Sequence, residues 1–162
     1  MFKLTIGLSI VLIPLLHQNT GGGAWAGFLH PLLGYDHLLA MVTVGLLSAQ
    51  MGRRAIWTVP TVFVLMMIIG GILGILGIGL PLVELGIAVS VVVLGIALAA
   101  KQTLPIVLAM TFVALFGIFH GHAHGTELPT VADTTLYIIS YIVGFAVATA
   151  GLHVIGALLG TK

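Results

Sequence analysis

The chain has 162 residues, of which 60% are hydrophobic and only 6% are charged, and its formal net charge is +1. Because a soluble domain carries about 25% charged residues, this composition excludes an ordinary water-soluble enzyme, a disordered chain and a nucleic-acid-binding protein with a basic face. The lack of cysteine excludes disulfides, thiolate metal sites and thiol nucleophiles. The 22 glycines in so apolar a chain, with a mean hydropathy of +1.29, are typical of closely packed membrane helices. We therefore predict an all-α fold, a polytopic integral membrane helix bundle.

The N-terminal segment has the pattern of a cleaved signal peptide. Lys3 gives a positive start, and the apolar run Leu4–Leu16 is too short to span a membrane comfortably. The A-W-A sequence at residues 24–26 matches the small-residue cleavage pattern. We predict cleavage after Ala26, which leaves residues 27–162 as a single transmembrane domain; the alternative is an uncleaved first helix.

Five apolar runs follow, each near the ~20 residues that a membrane-spanning helix needs. They cover about Pro31–Gln50, Ala55–Gly79, Leu82–Ala100, Thr103–His120 and Thr134–Gly160. The sequence therefore predicts about five transmembrane helices after removal of the signal peptide.

The basic residues predict the orientation of the bundle. After cleavage they are Arg53, Arg54, Lys101 and Lys162, and an external mature N-terminus places all four on the cytoplasmic side. We predict a multi-pass protein of the bacterial inner membrane, with its mature N-terminus outside and its C-terminus in the cytoplasm. In this topology every acidic residue, and every histidine of the mature chain except His153, lies in the extracytoplasmic half.

The first motif is HPLLGYDH at residues 30–37. An intramembrane aspartate such as Asp36 costs several kcal/mol unless it is paired or coordinates an ion, so its default interpretation is functional. His30 and His37 are about 10 Å apart along an ideal helix, so either Gly34 breaks the helix and they share one ion, or they form successive sites. The structural alternative is an Asp–His pair that only holds helices together.

The second motif is FHGHAHGTE at residues 119–127. His120, His124 and Glu127 follow the spacing i, i+4, i+7 and so share one face of a helix. Two imidazoles one turn apart with a carboxylate form a usual chelating set for borderline divalent metals. His122 points away from this face and is expected to be an accessory on the solvent side. The alternative is a pH-sensitive polar loop.

Other polar residues are open to more than one interpretation. Glu84 is either a first-turn carboxylate stabilised by the helix dipole or a member of the metal site. Asp133 is expected to cap a helix, and His153 to form a hydrogen bond between helices. The GxxxG spacing at residues 70–74 indicates close helix packing.

Together the two motifs resemble those of the HupE/UreJ family of nickel/cobalt permeases. The family's HPxxGxDHxxAM and FHGxAHGxE patterns are both met without a gap, and the length, hydropathy and signal peptide also fit. The resemblance implies that five residues bind or pass the metal, with His120 beside them: His30, Asp36, His37, His124 and Glu127. The resemblance does not decide whether the ion is nickel or cobalt, and it gives no role to His122. Glu84 lies outside the two motifs and is a candidate because of its membrane position.

We therefore predict a secondary permease, not an enzyme, that imports Ni²⁺ or Co²⁺ through a His/Asp/Glu site in the extracytoplasmic half. The chain has no phosphate-binding loop for ATP hydrolysis. A divalent cation that moves down an inside-negative potential of about 100 mV gains about 4.6 kcal/mol, which can drive import. The expected partners are the lipid bilayer and the transported ion, with no prosthetic group and no nucleic acid, and a homo-oligomer is left open.

The second hypothesis is an intramembrane zinc-dependent hydrolase, in which histidines and Asp36 hold zinc and Glu127 acts as the base. No H-E-x-x-H motif is present, and the inner halves of the helices offer no further polar residues to bind a substrate. A third hypothesis, haem ligation by two histidines, is disfavoured by the acidic residues beside them.

Overall fold

The computed structural model describes residues 22–52, 54–100, 104–128 and 135–161. Within these ranges it contains six α-helices and no strand, which confirms the predicted all-α class. The helices are α1 (Gly22–Leu33), α2 (Tyr35–Met51), α3 (Ala55–Ile75), α4 (Val83–Ala99), α5 (Ile106–Thr126) and α6 (Thr135–Gly160).

Among these described helices, α3, α5 and α6 are each long and apolar enough to cross a membrane. A fourth candidate span consists of α1 and α2 together, with a bend of 82° between them. α4 is also apolar, but it has only 17 residues. The predicted helical membrane bundle is confirmed, whereas the predicted number of five spans stays a prediction.

The first predicted span, Pro31–Gln50, is not one continuous helix. The chain breaks at Gly34, whose φ of −89° and ψ of 112° are extended, and α2 starts at Tyr35. Glycine favours such a break because its helix propensity is low. The backbone N–H of Leu38 donates to the Gly34 carbonyl at 2.8 Å, so the new helix begins directly after the break.

The predicted C-terminal end of the fourth span, at His120, lies six residues before the observed end of the helix. A polar stretch was expected after His120, but α5 continues to Thr126. Two glycines of the second motif stay helical because they allow α3 to approach closely. A Cβ on Gly121 would overlap the Met67 carbonyl oxygen, and the backbone of α3 is equally close to Gly125. Close packing with α3 therefore offsets the low helix propensity of glycine.

The helices pack as close pairs around one core. α3 lies along α5, α6 lies along both α1 and α2, and α4 contacts α2 and α5. The largest fully buried apolar side chains are Phe63, Met41 and Met67. Large apolar residues such as Trp57 and Leu136 are exposed on the outside, as expected for a surface that faces lipid. Several polar side chains are buried instead: His37, Ser48, Ser90, His120, His122, Thr149 and His153.

Some predicted features lie outside the described residues. Residues 1–21 hold most of the predicted signal peptide, and Arg53, Lys101, Asp133 and Lys162 are outside as well. The predicted cleavage point after Ala26 lies within α1, where Gly23, Ala26 and Gly27 are buried. Cleavage at this point, and the single mature domain that it defines, stay predictions.

Candidate metal centre

Three side chains from α1 and the end of α5 form a group that could hold a metal ion: His30, His124 and Glu127. Each offers one ligand atom, and these atoms all lie within 4.8 Å of one another. The Glu127 carboxylate is 3.6 Å from Nε2 of His30 and 3.7 Å from Nδ1 of His124. Two imidazoles and a carboxylate suit a borderline divalent cation. We call these three residues the outer triad.

The bend at Gly34 lets imidazoles from α1 and α2 reach the same partner. Nδ1 of His124 lies 2.8 Å from Nε2 of His30, and Nε2 of His124 lies 2.9 Å from Nδ1 of His37. His124 therefore stands between the two histidines of the first motif, with one ring nitrogen facing each. The helix break at Gly34, which the sequence required if His30 and His37 were to share one ion, is present, but the outer triad contains His30 without His37.

The contacts continue from His37 into the interior of the bundle. Its Nδ1 is 3.1 Å from Nδ1 of His120, and both residues are 1% exposed. Nε2 of His120 is 2.9 Å from the hydroxyl of Ser90 in α4. The Ser90 hydroxyl donates to the Ile87 carbonyl at 2.6 Å, so it can accept a hydrogen bond from the Nε2–H of His120. That tautomer turns the Nδ1 lone pair of His120 toward His37.

The four imidazoles form a continuous series that we call the histidine row: His30, His124, His37 and His120. The row leads from the exposed Glu127 to the fully buried Ser90. In the described part of the chain, Nε2 of His37 has no hydrogen-bond partner. Buried polar atoms normally have one, so the row keeps a free nitrogen in the interior.

Aromatic side chains of α6 and α3 enclose the histidine row. The ring of Phe145 lies 4.7 Å from that of His124 and 5.2 Å from that of His37, centroid to centroid. The ring of Phe63 lies 5.9 Å from that of His120. Rings packed against the imidazoles occupy space that water would otherwise fill, and where water is displaced the attraction between a cation and its ligands is stronger. Neither phenylalanine was singled out from the sequence, because a single aromatic residue in an apolar run carries no signal of its own.

Glu127 follows the last residue of α5 and carries the charge of the outer triad. The neighbouring imidazoles of His124 and His30 lower the pKa of its carboxyl to about 2, from an ordinary value of 4.5. The carboxylate is therefore ionised throughout the neutral range, in the form that binds a cation.

Two of the predicted site residues belong neither to the outer triad nor to the histidine row. Asp36 is exposed, and its Oδ1 accepts a hydrogen bond from the backbone N–H of His37 at 2.8 Å. Glu84 is exposed in the first turn of α4. Within the described ranges, no hydrogen bond or ion pair joins either carboxylate to the outer triad. A metal role for both stays a prediction.

Two other histidines do not behave as the sequence suggested. His122 is buried, and its Nε2–H donates to the Ile78 carbonyl at 2.8 Å, so the expectation of a solvent-side accessory is wrong. His153 is buried, and neither of its ring nitrogens has a hydrogen-bond partner among the described residues. The expected hydrogen bond between helices is therefore wrong as well. Both outcomes depend on neighbours distant in sequence.

One residue of the centre, Ser90, was missed entirely. It lies in the apolar run of α4, where its hydroxyl could equally have bonded only its own helix. Its contact with His120 joins residues that are 30 positions apart in the chain, so the spacing of motifs could not reveal it.

The fold and this centre define a class: an integral membrane helix bundle with an internal series of imidazoles that begins at an ionised carboxylate. The chain belongs to the HupE/UreJ family, because the family profile described as HupE / UreJ protein matches residues 6–162. A curated relative, protein HupE of Rhizobium leguminosarum bv. viciae, is 43% identical over 158 residues, which cover 95% of this chain and 81% of the relative. No solved structure matches the chain.

Membership confirms the resemblance that the two motifs indicated. It places the chain among membrane proteins with a transport or accessory role in nickel or cobalt handling, and not among enzymes. The hydrolase hypothesis is therefore not favoured.

Proposed function

We propose that the protein is a secondary permease that imports Ni²⁺ or Co²⁺ and that the histidine row is its route. The observation that carries the proposal is the continuity of the row, in which neighbouring ring nitrogens are 2.8 to 3.1 Å apart from His30 to His120. A cation that enters a membrane must exchange water ligands for protein ligands without a long gap between them. Closely spaced imidazoles supply such an exchange.

The ligand types support nickel or cobalt over the common alternatives. Imidazole and carboxylate without thiolate suit borderline divalent ions, whereas magnesium prefers sites made of oxygen alone. A transport site also has to release its cargo, and the lack of cysteine avoids ligands that hold a soft metal tightly. The membrane potential then supplies the driving force, about 4.6 kcal/mol for a divalent cation at about 100 mV.

We assign successive roles to the carboxylates and the imidazoles. Asp36 and Glu84 are exposed charges that raise the local concentration of cations at the outer face. Glu127 and His30 provide the first ligands. His124 then transfers the ion to His37, because one of its ring nitrogens faces His30 and the other faces His37. The proposed orientation, with the outer triad on the extracytoplasmic side of the inner membrane, follows from the basic residues.

The test compares two histidines of the same motif in sealed vesicles. Purified protein is reconstituted with an inside-negative potential, and initial uptake of labelled Ni²⁺ and Co²⁺ is measured for His124→Gln and for His122→Gln. We expect His124→Gln to lose uptake by about tenfold or more, a loss of the size that disrupting a metal site causes. His122→Gln should transport normally, because its amide can still donate to the Ile78 carbonyl. Normal uptake by His124→Gln at equal protein content would refute the proposed route.

A further inference from the structure

His153 is a buried histidine that does not belong to the histidine row. His153 in α6 is 2% exposed, and neither of its ring nitrogens has a hydrogen-bond partner among the described residues. A buried polar nitrogen without a hydrogen bond destabilises a fold. An apolar side chain would fit the same place without this cost, so the imidazole needs an explanation.

The position of His153 continues the route beyond the histidine row. Phe145, which packs against His124 and His37, lies on α6 eight residues before His153, about 12 Å along the helix axis. Thr149 lies midway between them, at i+4 from Phe145, and is fully buried. One side of α6 thus borders the row at Phe145 and presents an unpartnered imidazole about two turns farther from Glu127.

The ring of Phe63 packs against both the last imidazole of the row and His153. The ring centroid of Phe63 is 5.9 Å from that of His120 and 5.4 Å from that of His153. Near this ring, one turn along α3 and α6, the Thr149 hydroxyl donates to the sulfur of Met67 at 3.9 Å. A thioether is a soft ligand, unlike the oxygen ligands that suit magnesium and calcium.

We propose that His153 is an inner binding station for the transported Ni²⁺ or Co²⁺, which it takes over from His120 past the side chain of Phe63. One lone pair of the imidazole binds the ion, Met67 and Thr149 offer further polar atoms one turn away along α3 and α6, and water completes the coordination. This inference rests on the proposed function, since it adds a second station to the same route.

The test separates binding at the outer triad from passage through the protein. His153→Leu replaces the imidazole by an apolar side chain of similar size, so it removes the unpaired nitrogens and should unfold at the same or a higher temperature. The affinity for Co²⁺ at the outer triad, followed by the visible absorption of the bound ion in purified protein, should match that of the wild type. Initial uptake of Co²⁺ and Ni²⁺ into vesicles should fall by at least about tenfold, since one ligand of the route is lost.

The matched control is Ser48→Ala, which removes another fully buried polar group. Its hydroxyl donates to the Gly45 carbonyl of its own helix at 2.7 Å, so binding and uptake should both remain normal. If His153→Leu does not accumulate, His153→Gln serves the same comparison, because it is polar and of similar size but lacks the imidazole lone pair.

The outcomes distinguish this inference from the proposed function. Wild-type uptake by His153→Leu would overturn the inner station and leave the proposed permease intact. Loss of Co²⁺ binding at the outer triad together with uptake, or a lower unfolding temperature, would also overturn it, because His153 would then act through the fold. Failure of the wild type itself to transport either ion would overturn both.

Discussion

His124 is the residue on which the centre depends most directly. Each of its ring nitrogens is within 2.9 Å of a different histidine, and its Nδ1 also faces Glu127. His124 therefore joins the other two members of the outer triad, His30 and Glu127, to His37. Two residues outside the histidine row contact its members, Asp36 at His37 and Ser90 at His120, and each can be tested by a single substitution.

Asp36→Asn isolates the effect of charge at the outer face. The asparagine oxygen can still accept from the backbone N–H of His37, so the start of α2 should be preserved. We expect a several-fold rise in KM for Ni²⁺ uptake with little change in the maximal rate, because an exposed carboxylate attracts cations over a distance. The difference from wild type should shrink as the ionic strength increases. A KM equal to that of the wild type at low salt would show that Asp36 contributes no steering.

Ser90→Ala removes the hydroxyl that neighbours Nε2 of His120. This leaves a buried imidazole nitrogen without its partner, which should cost about 1–3 kcal/mol of stability. Uptake should also fall, because the orientation of His120 is no longer fixed. Thermal unfolding in detergent and vesicle uptake check the two effects. Ser48→Ala provides the comparison, and equal behaviour of the two variants would contradict the role assigned to Ser90.

At the scale of helices, close approach through glycine decides how the elements meet. α6 packs on α1 and α2 in this way, and α3 packs on α5 through the glycines of the GxxxG spacing at residues 70–74. Because lipid is as apolar as the side chains, tight contact between helices has to replace the hydrophobic effect as the main source of association. The glycine content of the sequence predicted this packing, and the structure confirms it.

Gly156→Ala and Gly151→Ala test this packing on the same helix. A Cβ on Gly156 would overlap the Val42 carbonyl oxygen of α2, whereas a Cβ on Gly151 meets nothing within 4 Å. We expect Gly156→Ala to lower the unfolding temperature and the folded yield. Gly151→Ala should be neutral or stabilising by up to about 1 kcal/mol, because alanine favours the helix more than glycine does. Indistinguishable melting curves would refute the close contact between α2 and α6.

For the whole molecule, the proposed orientation predicts which end of the bundle faces the cytoplasm. The native chain has no cysteine, so single cysteines can be introduced at exposed positions. An impermeant thiol reagent added to intact cells should label Glu84→Cys and Thr126→Cys. It should not label Arg54→Cys or Thr161→Cys until the membrane is opened, because basic residues favour the cytoplasmic side. The reverse pattern would place the outer triad in the cytoplasm and would contradict its proposed role as the entry site.

The sequence by itself determined the class of the molecule and the local part of the centre. Composition is enough to identify a membrane bundle, because water cannot solvate so apolar a surface. The spacing of His120, His124 and Glu127 is a property of a single helix, so it could be predicted without knowledge of neighbouring elements. The family resemblance could also be drawn from the two motifs alone.

Only the tertiary structure decided which residues of different helices meet. His30 reaches His124 across 94 positions and Ser90 reaches His120 across 30, and neither contact has a signature in spacing. Whether Gly34 breaks the helix depends on how α1 and α2 pack on α6, and propensity alone does not settle it. The burial of His122 and of His153 follows in the same way from neighbours distant in sequence. Local spacing places side chains on one face of a helix, but the packing of helices determines what that face meets.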